Sequence, residues 1–336
     1  MSELRKDPVT GRWVIISTER RKRAADFLVE PVTIGPDPSC PFCEGHEQMT
    51  SRELLAHRSN GGGPDGPGWD VRVVPNQFPV LRVEGTLDRQ GEGLFDKMNG
   101  IGAHEVIIES PRHEDTLATL PDEAIERVLW AFRERIQDLR RDQRFRYVVA
   151  FKNHGAAAGA SLAHSHSQLI ALPIVPREVR DEVDGAKKHF KAKERCVFCD
   201  IVRQETQDDK RLIADNADMV AIAPYAPRFP FETWILPKRH QSRFEDSPRH
   251  EYAALATLLG DILRRMNRML ESPPYNLLVH SAPLVEEAAE YYHWHVEIIP
   301  KLTKVAGFEW ATGFYLNPTS PEEAAQVLRS AKGSRV

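Results

Sequence analysis

The chain has 336 residues, 41% hydrophobic and 28% charged, a balance that suits one large or two ordinary globular cores and excludes a disordered or fibrous protein. Its formal net charge is −4 and its basic residues are scattered; the densest run, ERRKR at 19–23, is too short for the electrostatic footprint of a nucleic-acid binder. The opening MSELRKDPVTGRWVIIS lacks the apolar run of a signal peptide, and no window approaches the roughly 18 apolar residues of a membrane span, so a cytoplasmic protein without nucleic-acid or membrane partners is expected.

Taken along the chain, the first informative stretch is CPFC, with Cys40 and Cys43, and a Gly- and Pro-rich loop follows at 59–68. Short β-rich runs come next, WDVRVVP and then HEVIIESPRH ending at His113. Apolar residues at helical spacing, Ile125, Val128, Leu129, Phe132, Ile136 and Leu139, predict an amphipathic helix whose stripe is core. YVVAF, the small-residue loop NHGAAAGAS and HSHSQLIALP complete this series. The order then repeats: CVFC with Cys196 and Cys199, MVAIAP, ETWILPKRH ending at His240, a helix with Leu255, Leu258, Leu259, Ile262 and Met266, then LLVHS and HWHVEIIP. Ser247 and Pro248 read as the cap and first turn of that second helix. The stretch from Cys43 to His113 is longer than that from Cys199 to His240, which places an insertion in the first copy around 59–68. Helix and strand segregate within each copy, which favours an α+β fold with mainly antiparallel sheet, divided into repeats at 1–190 and 191–336.

All four cysteines fall in the two Cys-x-x-Cys pairs. In a cytoplasmic chain such pairs are metal or redox sites before they are disulfides, and no thioredoxin-like unit surrounds them, so zinc is preferred over a redox pair or inert thiols. The repeat supplies two Cys2His2 sets: Cys40, Cys43, His113 and His164, then Cys196, Cys199, His240 and His293. Four protein ligands close a tetrahedral site, so two structural zinc ions per chain are expected; the histidines lie too far from the cysteines for a nucleic-acid finger. In a strand, His164, His166 and Gln168 share one face while Ser165 and Ser167 share the other. With His164 on zinc, His166 stands beside a loop whose small residues let backbone N–H groups approach a phosphate. That arrangement suits a nucleophile that attacks phosphorus and holds the group as a phosphoramidate, with Gln168 and Ser161 donating to its oxygens.

NHGAAAGASLAHSHSQ resembles the active-site loop of the galactose-1-phosphate uridylyltransferases, a branch of the histidine-triad superfamily, and CVFCDIVRQE is similar to the opening of a histidine-triad domain. DPVTGRWVIIS, RRKRAADF, CPFC, RVVPNQFP, SPRH and HWHVEIIP with GFE extend the likeness over nearly the whole chain. The resemblance implies two histidine-triad repeats forming a half-barrel sheet with helices packed outside. It implies a homodimer and ping-pong transfer of a nucleoside monophosphate between a nucleotide sugar and a sugar 1-phosphate, through a nucleotidyl-His166. It further implies that Asn153, Ser161 and Gln168 hold phosphates, that Asn76 and Phe78 line the nucleoside pocket, and that Arg20 and Arg23 contact phosphate. Glu309 would meet sugar hydroxyls, reached in the family from the neighbouring subunit.

Typical uridylyltransferases have Pro and Gly where this chain has Ser165 and Ser167, and Asp where it has Gln77. These departures and the second Cys2His2 set look more like the branch that transfers adenylyl groups from ADP-glucose to phosphate. Galactose-1-phosphate uridylyl transfer with UDP-glucose is the first expectation and ADP-glucose phosphorolysis the second. A histidine-triad hydrolase would commonly carry a third His where Gln168 stands, which favours transfer; a non-catalytic zinc scaffold is the remaining alternative. His295 occupies the nucleophile position of the second copy, but the segment before it lacks the phosphate-cradling glycines, so that copy is expected to be structural.

Overall fold

The computed structural model describes residues 1–27, 30–59, 61–285 and 288–331; residue 60 of the insertion loop and residues 286–287, ahead of the second histidine pair, lie outside them. β1 (Glu3–Lys6) and β2 (Trp13–Ile16) form an antiparallel pair that β15 (Tyr315–Asn317) extends in parallel, tying the two ends of the chain together. Between them lie β3 (Leu55–His57), β4 (Val71–Pro75), β5 (Gln90–Glu92), β6 (Phe95–Lys97), β7 (Ala103–Ile108), β8 (Tyr147–His154) and β9 (His166–Leu172). The second series is β10 (Leu212–Asp215), β11 (Met219–Ile222), β12 (Thr233–Pro237), β13 (Tyr275–His280) and β14 (His295–Pro300). The helices are α1 (Asp122–Leu139), α2 (Arg177–Lys193), α3 (Val197–Asp208), α4 (Arg249–Leu270), the short α5 (Gly307–Thr312) and α6 (Pro321–Ser330).

Ten of these strands form one sheet in the order β10-β11-β12-β14-β13-β8-β9-β7-β4-β3, every neighbouring pair antiparallel, and the sheet stays open at both edges as a half-barrel does. From either edge inward the two copies present equivalent strands, so the internal repeat is a symmetry of the sheet. The copies meet where β8 pairs with β13, Asn153 opposite Asn276.

Side-chain alternation sorts the sheet into two faces. One carries Val148, Ala150, Leu169, Ala171, Leu277, Val279, Val296 and Ile298 into a core shared with the predicted stripes of α1 and α4. The buried Arg135 of α1 holds Glu105 of β7 in that core through two 2.7 Å hydrogen bonds. Replacing Arg135 with Met leaves a buried carboxylate unpaired and should cost about 3–5 kcal/mol, read as a fall in denaturant midpoint; adding Glu105→Leu should recover most of it.

The opposite face carries His166 and His295. Over its second half it is covered by α2 and α3, whose Val179, Val183, Phe198 and Val202 pack on Val220, Ile222 and Trp234. α4 starts one residue later than the sequence suggests. Pro248 is its N-cap, with an extended ψ of 157°, and Ser247 makes no cap because its Oγ accepts from the Trp294 indole at 2.9 Å.

Candidate active site and metal centres

The two Cys2His2 sets assemble as the repeat requires: in each, one ligand atom from all four residues lies within 4.8 Å of the others. Cys43 Sγ is 3.5 Å from His113 Nδ1 and 3.6 Å from His164 Nδ1; Cys199 Sγ is 3.3 Å from His240 Nδ1 and 3.6 Å from His293 Nδ1. Zn–S bonds near 2.3 Å and Zn–N bonds near 2.0–2.1 Å would set tetrahedral neighbours about 3.5 Å apart, so the donor sets fit that ion. Their orientation fits too: Nε2–H of His164, His240 and His293 donates to the carbonyls of Ser110, Ala289 and Pro237 at 2.7, 2.7 and 2.9 Å, which turns Nδ1 toward the sulfurs. Among the described residues, His113 Nε2 is buried without such a partner.

His166 opens β9 and is buried. Its Nδ1–H donates to the His164 carbonyl at 2.8 Å, so the neutral ring keeps its lone pair on Nε2. Burial, reinforced by the Lys152 ammonium, holds this imidazole below its ordinary pKa and hence neutral at pH 7. Phe42, from between Cys40 and Cys43, packs its ring 5.3 Å from the His166 ring in an edge contact. Phe198 of the second CxFC stands 5.1 Å from His295, there with the rings tilted by 33°.

Gln168 faces the same side as His166, and its Oε1 accepts from His104 Nε2 at 2.8 Å. The Val80 N–H donates to the other nitrogen of His104 at 3.3 Å, which fixes this tautomer and leaves the Gln168 amide NH2 free to point elsewhere. The His104 carbonyl accepts from the Asn76 N–H at 2.9 Å, so His104 joins two of the expected substrate residues, a role that its sequence context did not signal. Asn153, at the end of β8, accepts from Asn276 Nδ2 at 2.8 Å, and the same amide donates to the Ala158 carbonyl at 2.9 Å. A residue of the second repeat thus braces the loop of the first.

That loop turns through Gly155 at φ +81°, where a Cβ would stand 2.5 Å from Val32, and Gly159 at φ +91°. It is not the open row of donors that its composition suggests. The N–H groups of Ala158, Gly159 and Ala160 are spent on the carbonyls of Gly155, Ala156 and Gly155. Ser161, which follows the loop, is exposed.

Phe78 is tied in through its N–H, which donates to Asn76 Oδ1 at 2.9 Å; among the described residues, no hydrogen bond or ion pair joins Arg20, Arg23 or Glu309 to this cluster. Phe78 is 85% exposed. Arg20 and Arg23 are exposed on an arm anchored by Ser17 on the Asn317 carbonyl and Lys22 on that of Pro318, and Glu309 caps α5 by accepting from the Ala306 N–H.

The second copy differs in one decisive contact. His295 points Nδ1 at the His293 carbonyl, as His166 does at His164, but its Nε2 faces Glu182 Oε1 at 3.2 Å. Glu182 comes from α2, and its carboxylate occupies the Nε2 edge of His295, the edge that His166 keeps open. His280 stacks on His295 at 4.4 Å and spans Glu182 and Glu297 at 3.3 and 3.2 Å. Burial works against its charge, yet the two carboxylates push its pKa up to about 10. Glu182, His280 and His295 also bring three donor atoms within 4.8 Å, at the edge of a cavity of about 470 Å³ that Arg228, Glu232 and Trp234 help to line. No signal in the sequence announced Glu182, because it lies in a helix outside both motif series.

Residues 1–176 match the family model described as the galactose-1-phosphate uridyl transferase N-terminal domain, and residues 101–332 match a domain of unknown function, DUF4921. The chain is 40% identical to the ADP-glucose phosphorylase of Arabidopsis thaliana, over 97% of this chain and 92% of that protein. It is 28% identical to the galactose-1-phosphate uridylyltransferase of Thermotoga maritima, over 99% of each. The crystal structure of an Arabidopsis thaliana ADP-glucose phosphorylase with bound ADP-glucose superposes with a TM-score of 0.86 at 38% identity, covering 99% of this chain and 100% of that one. A uridylyltransferase structure superposes with a TM-score of 0.77 at 31% identity, covering 98% of each. The chain therefore belongs to the galactose-1-phosphate uridyl transferase family, which takes in the ADP-glucose phosphorylases, and is a nucleotidyltransferase.

Proposed function

We propose that the protein moves an adenylyl group from ADP-glucose to phosphate through a covalent adenylyl-His166. The observation that carries the covalent step is the hydrogen bond from His166 Nδ1–H to the His164 carbonyl, which leaves Nε2 as the attacking atom. Nε2 attacks the α-phosphorus and the bond to the bridging oxygen breaks, releasing glucose 1-phosphate. An oxygen of the acceptor phosphate then attacks the same phosphorus, and the P–N bond returns its electron pair to Nε2. The Nδ1 proton stays on the ring throughout, held by the carbonyl. The Gln168 amide NH2, Ser161 and Asn153 are assigned to the phosphoryl oxygens, and Asn76 and Phe78 to the nucleoside.

Adenylyl transfer is put ahead of galactose-1-phosphate uridylyl transfer because the relative at 40% identity is an ADP-glucose phosphorylase, and because Ser165, Ser167 and Gln77 depart from the uridylyltransferase pattern. Two zinc ions per chain, one in each Cys2His2 set, would cross-link the strands that carry the histidines. A homodimer is part of this reading. Phe78, Leu94 and Phe95 are 85%, 97% and 76% exposed, apolar side chains that a second copy would cover, and Glu309 would then act across the interface. We keep the division into repeats at 1–190 and 191–336, the first catalytic and the second structural. A cytoplasmic location suits four free cysteines set in metal sites; no described helix is long and apolar enough to cross a membrane.

Steady-state kinetics test this function. Parallel double-reciprocal lines are expected, with a higher kcat/KM for ADP-glucose with phosphate than for UDP-glucose with galactose 1-phosphate. The reverse order would make the uridylyl reading the correct one, and hydrolysis faster than transfer with both donors would overturn the transferase reading.

A further inference from the structure

On the face of β9 opposite His166, Glu109 and Lys152 form a salt bridge of 2.7 Å, and each residue is only 1% exposed. The Lys152 ammonium uses all three donors: on Glu109 Oε2, on Ser165 Oγ at 3.1 Å and on the His166 carbonyl at 3.0 Å. Glu109 accepts in addition from Ser165 Oγ at 2.5 Å and from Ser167 Oγ, and its N–H donates to the Ser165 carbonyl at 3.1 Å. The residue before His166, the residue after it and its own carbonyl are thus bound to one buried ion pair.

Burying a charge pair is weak evidence for stability, since apolar residues of similar volume often serve as well. The chain contains its own comparison. In the second copy HWHV replaces HSHS, so Trp294 and Val296 stand where Ser165 and Ser167 do, and both are buried in the apolar core. The sheet folds with apolar residues at that register. The polar version accompanies the histidine with a free Nε2, and the apolar version the histidine that Glu182 occupies.

We infer that Lys152, Glu109, Ser165 and Ser167 are positioning residues that hold the His166 backbone so that Nε2 meets the α-phosphorus in line. This rests on His166 being the nucleophile. Displacing a reacting group by about 1 Å can cost on the order of 100-fold in rate while the binding contacts persist.

Two variants test it: Lys152→Met/Glu109→Gln, which removes the charges together, and Ser165→Ala/Ser167→Ala, which keeps the ion pair and removes its side-chain links to the strand. Quenched-flow measurement of nucleotidyl-enzyme formation with ADP-glucose is combined with KM, Tm and metal content, after peptide mapping of the wild-type adduct. The expected result is a fall of about 10- to 100-fold in the single-turnover rate and in kcat, with KM unchanged. If the charge-removing variant does not fold, the serine variant decides alone. Wild-type rates in a folded, fully metallated variant overturn the proposal, as does a loss confined to Tm. A wild-type adduct on another residue overturns instead the nucleophile assignment on which the proposal stands.

Discussion

Replacing His166 with glycine should lower nucleotidyl transfer by on the order of 10⁴-fold or more while leaving Tm and metal content near those of the wild type. The size of the effect follows from the chemistry: without an attacking nitrogen the two-step route is closed, and the two histidines at equivalent or adjacent strand positions are already engaged. His295 is engaged by Glu182, and His164 directs one nitrogen to the metal set and the other to the Ser110 carbonyl. The space left by the ring should admit free imidazole, so added imidazole should restore part of the activity. The measurement is initial rate with and without imidazole, beside the circular dichroism melt. Near-normal transfer by the variant without imidazole would contradict the assignment.

The second large effect concerns the metals. Elemental analysis should find two zinc ions per chain, and because binding a structural zinc is coupled to folding at an apparent ~10–16 kcal/mol in small domains, stripping both should unfold the sheet around them. The two sites should differ in what their loss does to activity. Cys40→Ala disturbs the set that holds His164, whose carbonyl orients His166, so it should abolish adduct formation as well as lower Tm. Cys199→Ala releases one metal and lowers Tm, and the chain that remains folded should still form the adduct. A single metal per chain in a fully folded protein would contradict the repeat argument.

How much of this was legible in the sequence depended on whether a residue's role is local or is made by distant strands. The two metal sets and the repeat were readable, because Cys-x-x-Cys and His-x-His keep fixed spacings and recur in the same order. The common face of His166 and Gln168 was readable from strand alternation alone. Glu109 and Lys152 were not: they lie 43 positions apart in the chain, and only the pairing of β7, β8 and β9 brings them together. Asn276 was hidden for the same reason, since it serves the first repeat from a strand of the second. The loop at 155–160 misled because small residues permit close approach to an anion but do not reserve N–H groups for it. Ser247 misled because a good capping residue was needed by Trp294.

The covalent nucleotidyl-His166 is open to direct observation by mass. The purified protein is incubated with ADP-glucose or with UDP-glucose, without acceptor, and its mass is measured intact and after proteolysis under conditions that preserve phosphoramidates. One adenylyl group per chain is expected, located on the peptide containing His166, formed fully with ADP-glucose and removed on adding phosphate. An unmodified chain with both donors, or a nucleotidyl group on any residue other than His166, would contradict it.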